Sequence, residues 1–387
     1  MMGSLVYVDN NATTSIAPEV LEAMLPYLTE RYGNPSSLYR FGGSVHADME
    51  QARGHVAELI GASDTEIVFT SCGTESDTTA VLSALATASD KRHIVTTAVE
   101  HPAIIGLCEY LETAGYTVTY LPVDEQGRLD LEQLSDAISD QTAIVSIMHA
   151  NNETGVIFPL DEIAAIVKQR GCLLHTDAVQ SVGKLPLDLR NMPVDFLSLS
   201  GHKLHAPKGV GALYIRKNTP YKPLLMGGHQ ERNLRAGTEN VASIVGLGRA
   251  AQLASAHMED EQTRVRGLRD RLQEGLIAAC PDTRVNGADA PRLPNTLHIS
   301  FGYIEGESIT LLLDELGICV STGSACSTGS LEISHVIDAM QVPPMYAHGS
   351  IRFSLSRYNT DAEVDYILEQ VPPMIARLRE MSPYGHE

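Results

Sequence analysis

Basic residues are scarce in this chain of 387 residues: 28 Lys and Arg stand against 48 Asp and Glu, a formal net charge of −20. That balance repels a phosphate backbone and excludes nucleic-acid binding as a main activity. The acids are scattered rather than gathered into a tail, so they read as ordinary solubility on helical surfaces. The basic run from Arg264 to Arg271 reads as a solvated helix face. Tryptophan is absent, which leaves the emission of any bound chromophore clear of indole background. No apolar run is long enough to span a bilayer, and Met1 to Asp9 lacks the basic and apolar regions of a signal peptide. The expectation is a cytoplasmic protein with no membrane partner. The six cysteines form no C-x-x-C pair, and no histidine near them has zinc-finger spacing, so no metal site is expected. Thiols rather than disulfides follow from a cytoplasmic setting. Internal repeats and low-complexity segments are also missing.

What is present describes a globular α/β protein. Hydrophobic residues make up 43% of the chain, and its length suggests two domains. Apolar strand runs alternate with amphipathic helical runs through the first two-thirds. Glu66–Thr70 precedes a helix near Thr74, His93–Thr97 precedes one near Pro102, and Ala143–Met148 precedes one near Pro159. Strands follow at Leu173–Thr176, Asp195–Leu199 and Val210–Ile215. Such alternation predicts a mostly parallel sheet covered by helices, with ligands at the carboxyl ends of its strands. Val241 to Ala279 reads as almost continuous helix linking two domains. Beyond it come a strand at Asn295–Phe301, a helix at Glu307–Leu316, strands at Ile318–Ser321 and Ser350–Ser354, and a final helix.

Two strand ends carry the most chemical information. Phe196-Leu-Ser-Leu-Ser-Gly-His-Lys203 delivers a lysine from a small-residue turn, and burial pushes such a lysine toward the neutral, nucleophilic amine. That form condenses with an aldehyde to give a Schiff base. Leu173-Leu-His-Thr-Asp177 delivers an acid, which can keep a pyridine nitrogen protonated. Pyridoxal 5'-phosphate enzymes need both parts. Thr70-Ser-Cys-Gly-Thr-Glu-Ser76 adds a helix N-terminus with Gly73 and Thr74, suited to a phosphate, although Thr74 also serves as an ordinary N-cap. His101 follows a strand end, where its ring either stacks on a pyridine or makes structural hydrogen bonds. The Asn151-Asn152 pair either orients a ligand or simply turns the chain.

Arg352 projects from a strand, where its planar fork suits a substrate carboxylate or a surface ion pair. Asn34, in a Gly-Asn-Pro turn, is a second candidate for that carboxylate. Ser321-Thr-Gly-Ser-Ala-Cys326-Ser-Thr-Gly-Ser330 has too little apolar surface for a core and reads as a mobile loop. Cys326 within it is expected to be exposed and reachable for thiolate chemistry, or else to be incidental. Cys108, Cys172 and Cys280 read instead as small buried hydrophobes.

Together the segments TSCGTESD, VEHPA, ANNETG, HTDAVQSVGK, SLSGHKLHAPKGVG, GGHQERNLRAGTEN and STGSACSTGS resemble the cysteine desulfurases, members of the class V aminotransferase group. The resemblance covers essentially the whole chain and is nearest the nitrogen-fixation branch. It implies the type I pyridoxal phosphate transferase fold, with a large domain at 15–260 carrying a mostly parallel seven-stranded sheet. Residues 1–14 and 261–387 would form a smaller α/β domain bearing the cysteine loop. By the same resemblance Lys203 carries the cofactor, Asp177 pairs with its ring nitrogen and His101 stacks on the ring. Gln180 and Asn152 contact its substituents, and Gly73, Thr74, Ser200 and His202 surround its phosphate. Thr238 reaches the phosphate of a neighbouring subunit, which makes a homodimer part of the site. Arg352 and Asn34 clamp the carboxylate of L-cysteine. Cys326 takes the sulfur as a persulfide, for delivery to an iron–sulfur scaffold protein, and alanine leaves. His101 is the expected acid or base at the substrate thiol, since a histidine titrates near working pH. One departure is Leu331-Glu-Ile333-Ser-His335, where the family usually has proline at the position of Ile333; a backbone donor and a free φ return there. An aminotransferase, a selenocysteine lyase and a non-catalytic cofactor-binding scaffold remain the competing readings.

Overall fold

The computed structural model describes residues 5–322 and 333–383. It opens with the short strand β1 (Val6–Tyr7). A seven-stranded sheet then gathers β2 (Ile67–Thr70), β3 (His93–Thr97), β4 (Thr117–Leu121), β5 (Thr142–Ser146), β6 (Leu173–Asp177), β7 (Phe196–Ser200) and β8 (Gly211–Ile215). Their order is β2-β8-β7-β6-β5-β3-β4. The β7, β6, β5, β3 and β4 neighbours are parallel, and β8 alone runs against its neighbours β7 and β2. Strands β2, β5, β7 and β8 are buried along their whole length, as expected where helices cover both faces. This accounts for the apolar runs of β2, β5 and β8, while β7 alternates as Phe-Leu-Ser-Leu-Ser although it too is buried throughout.

Helices α1 (Pro18–Thr29), α2 (Arg40–Leu59), α3 (Gly73–Thr87), α4 (Pro102–Thr113), α5 (Leu131–Ala137), α6 (Leu160–Gln169) and α7 (Val241–Ala256) surround this sheet. Both α1 and α2 pack on α7, and the approach of α2 is close: a Cβ on Gly248 would stand 2.5 Å from Ala52 Cα. The helical stretch predicted from Val241 to Ala279 is not one helix. It is interrupted at His257 and widens into a π turn at Glu261–Val265 before Arg266–Ala279 resumes.

The remainder supplies β9 (Thr283–Val285), β10 (Thr296–Phe301), β11 (Ile318–Cys319), β12 (Ser321–Thr322) and β13 (Ser350–Ser354). An antiparallel sheet takes the order β12-β13-β10-β9, while β11 pairs in parallel with β1. The single strand predicted at Ile318–Ser321 is therefore divided between two sheets, on either side of buried Val320. Ser321 and Thr322, predicted as the start of a loop, are ladder residues facing Arg352 and Ile351. Val6 and Val8 share an apolar cluster with Leu268, Leu272, Ile299, Phe353 and Ile367, separate from the clusters around the large sheet. Val336, Ile337 and Met340 pack instead into the large core, although they come late in the chain.

Candidate functional site

The carboxyl ends of β2, β3, β5, β6 and β7 open on a cavity of about 320 Å³. Each strand contributes through the loop or helix that follows it. Strand β7 leads through the turn Gly201–Lys203 to Lys203, whose Nζ donates to Asn11 O at 2.5 Å and Ala12 O at 2.7 Å. Burial pushes the Lys203 amine down to about 7, and the charges of Arg352 and Lys184 push the same way. Strand β6 ends at buried Asp177, which accepts from Val179 N at 2.8 Å. Burial raises its carboxyl to about 7, with Asp77 adding to the effect. Asp77, on α3 below it, is raised to about 7 by burial, and its Oδ1 has no hydrogen-bond partner. Asp77 Oδ1 lies 3.4 Å from His175 Nε2, but burial holds His175 down at about 4, so the contact is not an ion pair near neutrality.

Strand β2 leads into the N-terminus of α3, where Cys72 is the N-cap and makes no side-chain cap hydrogen bond. Its first backbone donors remain available beside Thr74, and close by is Ser200 Oγ, buried and without a hydrogen-bond partner. A side chain at Gly73 would meet Val179 Cγ2 at 2.8 Å, so glycine keeps this corner open. An orphaned hydroxyl beside an uncapped helix N-terminus suits a phosphate. Asp177 suits a protonated ring nitrogen, and the neutral-leaning amine of Lys203 suits an aldehyde. The residues present therefore fit pyridoxal 5'-phosphate.

His101 lines the cavity as the N-cap of α4, and its Nδ1 accepts from Ala103 N at 3.1 Å. Burial lowers it to about 4, with Lys203 and His335 contributing. It does not titrate near neutrality as the sequence suggested. The ring is neutral, with Nδ1 occupied and Nε2 carrying the proton. His202 is also lowered to about 4, first by burial and then by Lys203, and contacts Thr13 Oγ1 at 3.1 Å.

Arg352 is buried, with Nη2 on Asp9 Oδ1 at 2.8 Å, Nη1 on Asn152 O at 2.9 Å and Nε unpartnered. Its ion pair thus faces the cavity rather than the surface. Gln180 and Asn152 line the same space. Asn34 and Thr238 do not. Asn34 is exposed, and its Oδ1 caps Ser36 N at 2.9 Å. Thr238 is exposed beside a second hollow of about 210 Å³ lined by Ser71, Arg235 and Glu239. Cys326 lies outside the described residues. Of the residues that follow it, partly buried Ile333 packs on the large core, Ser334 Oγ donates to Glu153 Oε2 at 2.7 Å, and His335 Nε2 is 2.9 Å from Glu100 O.

Sequence reasoning missed Asp9, Asp77 and the carbonyls of Asn11 and Ala12. The carbonyls have no side-chain signature. Asp77 sits within a segment quoted for its resemblance and is distinguished by its burial beside the cavity, while Asp9 is marked out by its ion pair with Arg352. No helix among the described residues is long and apolar enough to cross a membrane.

Residues 6–367 match the family described as Aminotransferase class-V. Cysteine desulfurase 2 of Trichormus variabilis (strain ATCC 29413 / PCC 7937) is 57% identical over 384 residues, covering 99% of this chain and 96% of that protein. Cysteine desulfurase NifS of Azotobacter vinelandii is 56% identical over 380 residues, covering 98% and 94%. Among solved structures, a NifS-like protein superposes with a TM-score of 0.90 at 42% identity, covering 97% of this chain and 100% of that one. SspA, solved in complex with cysteine, gives a TM-score of 0.81 at 34% identity, covering 92% and 100%.

Proposed function

This chain belongs to the class-V aminotransferase family and is a pyridoxal phosphate-dependent cysteine desulfurase, and from that premise we propose how its own residues divide the work. The observation that carries the proposal is the convergence of Lys203, Asp177 and the uncapped N-terminus of α3 on one cavity. When bound, the cofactor supplies an electron sink for the substrate's α-carbon. Lys203 would hold it covalently, and its amine would carry protons to and from the substrate's α-carbon. Asp177 holds the ring nitrogen protonated. Thr74, Gly73, Ser200 and His202 receive the phosphate, while Gln180 and Asn152 face the ring substituents. His101, a neutral imidazole lining the cavity, would face the ring and offer Nε2–H as a donor. Arg352, exchanging its contact with Asp9, receives the carboxylate of L-cysteine.

The sulfur goes to Cys326. L-cysteine and the Cys326 thiol become L-alanine and a Cys326 persulfide. A sulfur–sulfur bond forms, the carbon–sulfur bond breaks, and the carbon keeps the electron pair and takes a proton. The sequence setting of Cys326 supports this, as do the described residues on either side of it. Ser321 pairs with Arg352 before it, and Ser334 bonds Glu153 after it.

A homodimer belongs to the same proposal. Leu21, Leu25 and Leu28 form an exposed stripe on α1, and Tyr32, Leu38, Tyr39 and Phe41 extend the exposed apolar surface. An apolar surface of this kind calls for a covering partner. A second copy would cover it and give Asn34 and Thr238, both outside this chain's cavity, a site to serve. The division at residue 260, with 1–14 joining the C-terminal part, is supported by the separate core around Val6, Val8 and Ile299. A cytoplasmic setting agrees with the free thiols Cys72, Cys108, Cys172, Cys280 and Cys319. Delivery of the persulfide sulfur to an iron–sulfur scaffold, in support of nitrogen fixation, rests on the family resemblance.

The test measures alanine and protein persulfide from L-cysteine in wild type and Cys326→Ala, each first checked for visible cofactor absorbance. Both products in wild type and neither in a coloured variant is the expected outcome. Equal alanine from both proteins would remove Cys326 from the reaction and favour a lyase or an aminotransferase.

A further inference from the structure

Lys184 lies behind the cavity and does not line it. It is 7% exposed, and its Nζ donates to Gln180 O at 2.9 Å and Gln180 Oε1 at 3.5 Å. Gln180 Nε2 in turn donates to Asn11 O at 3.0 Å, the same carbonyl that receives Lys203 Nζ at 2.5 Å. One polar chain therefore runs from Lys184 through Gln180 to the acceptor of Lys203. A separate void of about 20 Å³ is lined by both lysines, together with Asn10, Thr14 and Glu261. That volume suits a single water, and its walls are polar.

Glu261 is itself 7% exposed, and its Oε2 has no hydrogen-bond partner. It begins the π turn Glu261–Val265, whose next residue, Gln262, donates through Nε2 to Lys184 O. Such turns are uncommon and gather at functional sites. An ammonium this deep is costly unless a counter-charge compensates it, and Glu261 is the carboxylate acting on Lys184. We propose that Lys184 is a positioning residue for the desulfurase reaction: it fixes Gln180 and, as a second cation beside the same void, disfavours protonation of Lys203 Nζ, both as the free amine and when it is bonded to the cofactor. This rests on the reading of Lys203 given above.

The charges around both groups bear on the sign. Arg352 and Lys184 push Lys203 toward the neutral amine, while Asp9 and Asp177 pull the other way. Lys184, lowered to about 8 by burial, is held charged by Glu261 and opposed by Arg352. Arg357 and His205 also border the void, and burial keeps His205 neutral near pH 7.

The experiment titrates the visible absorbance of the cofactor-loaded protein against pH in wild type, Lys184→Met, Lys184→Gln and Lys184→Arg. Losing a like charge should move the midpoint upward by about one pH unit in Lys184→Met. Lys184→Gln keeps a hydrogen-bond donor but no charge, should shift likewise, and decides the matter if the methionine variant does not fold. Lys184→Arg keeps the charge and should stay near wild type. A folded neutral variant with the wild-type midpoint overturns the proposal, and so does an arginine variant shifted as far as the neutral ones. Colour that survives unchanged in Lys203→Ala would instead fault the assignment of Lys203.

Discussion

Beside β2, Arg53 and Glu231 bury a complete ion pair; at the carboxyl ends of the sheet, partly buried Lys203 and buried Asp177 have none. Arg53 Nη1 and Nη2 meet Glu231 Oε2 and Oε1 at 2.7 and 2.8 Å, Nη1 also meets Ile67 O at 2.9 Å, and Phe69 N donates to Glu231 at 2.8 Å. Burial alone would lower Arg53, but the Glu231 hydrogen bonds and charge outweigh it and leave the guanidinium raised. The pair also holds a strained run, for Glu231, Arg232 and Asn233 have φ of 46°, 57° and 67°. In the cavity the opposite holds: the lysine is lowered, the aspartates are raised, and Ser200 Oγ, Asp77 Oδ1 and Arg352 Nε lack partners. Where the protein satisfies its own charges it fixes shape. Where it leaves them unsatisfied, a ligand can complete them.

Several substitutions would sharpen that contrast. Lys203→Ala should cut alanine production on the order of 10³-fold or more while leaving the melting transition almost unmoved, read by amino-acid analysis and calorimetry. Asp177→Asn should lower turnover about 10²–10³-fold, with unfolding free energy changed by less than about 1 kcal/mol. Arg53→Met should do the reverse. Breaking the matched pair should cost about 3–5 kcal/mol in chemical denaturation, while the folded fraction keeps the wild-type absorbance maximum. A large loss of colour without loss of stability in Arg53→Met would erase the distinction.

Acidity gives a gentler probe. Because the Lys203 amine is lowered to about 7, its neutral fraction should grow about tenfold per pH unit below that point and level off above it. Cofactor uptake by stripped protein, followed by stopped-flow absorbance, should follow the same curve rather than climbing toward the pH of an ordinary lysine. The smallest effect is expected at Ile333→Pro. Ile333 is only partly buried against the large core, so stability should change by less than about 1 kcal/mol, checked by thermal melting.

Much of the site was legible because the sheet announces itself. Buried parallel strands leave apolar runs, and a lysine or aspartate ending such a run at Lys203 or Asp177 has few structural uses. The rest escaped for identifiable reasons. Asn11 and Ala12 act through backbone carbonyls, which every residue possesses. The two-sheet division around Val320 depends on which neighbours arrive at each side, a long-range matter. The Arg53–Glu231 pair joins residues 178 apart, and neither position stands out in its local run. His101 was seen, but its burial, which decides its protonation, is a property of the folded surroundings.

The hydrogen bond from Lys203 to Asn11 spans 192 positions, and that from Arg352 to Asp9 spans 343. Contacts of such separation are slow to form because long loops must close first. The lysine therefore gains its acceptors only when the first residues of the chain meet its middle, and the arginine its counter-charge only when they meet its end. On a ribosome, Asp9 would wait through most of synthesis before its partner emerged. The residues assigned to the cofactor lie between Gly73 and Lys203, whereas Arg352 and Asp9 come from opposite extremes of the chain, so the pocket for the substrate carboxylate is the last part of the site to be completed.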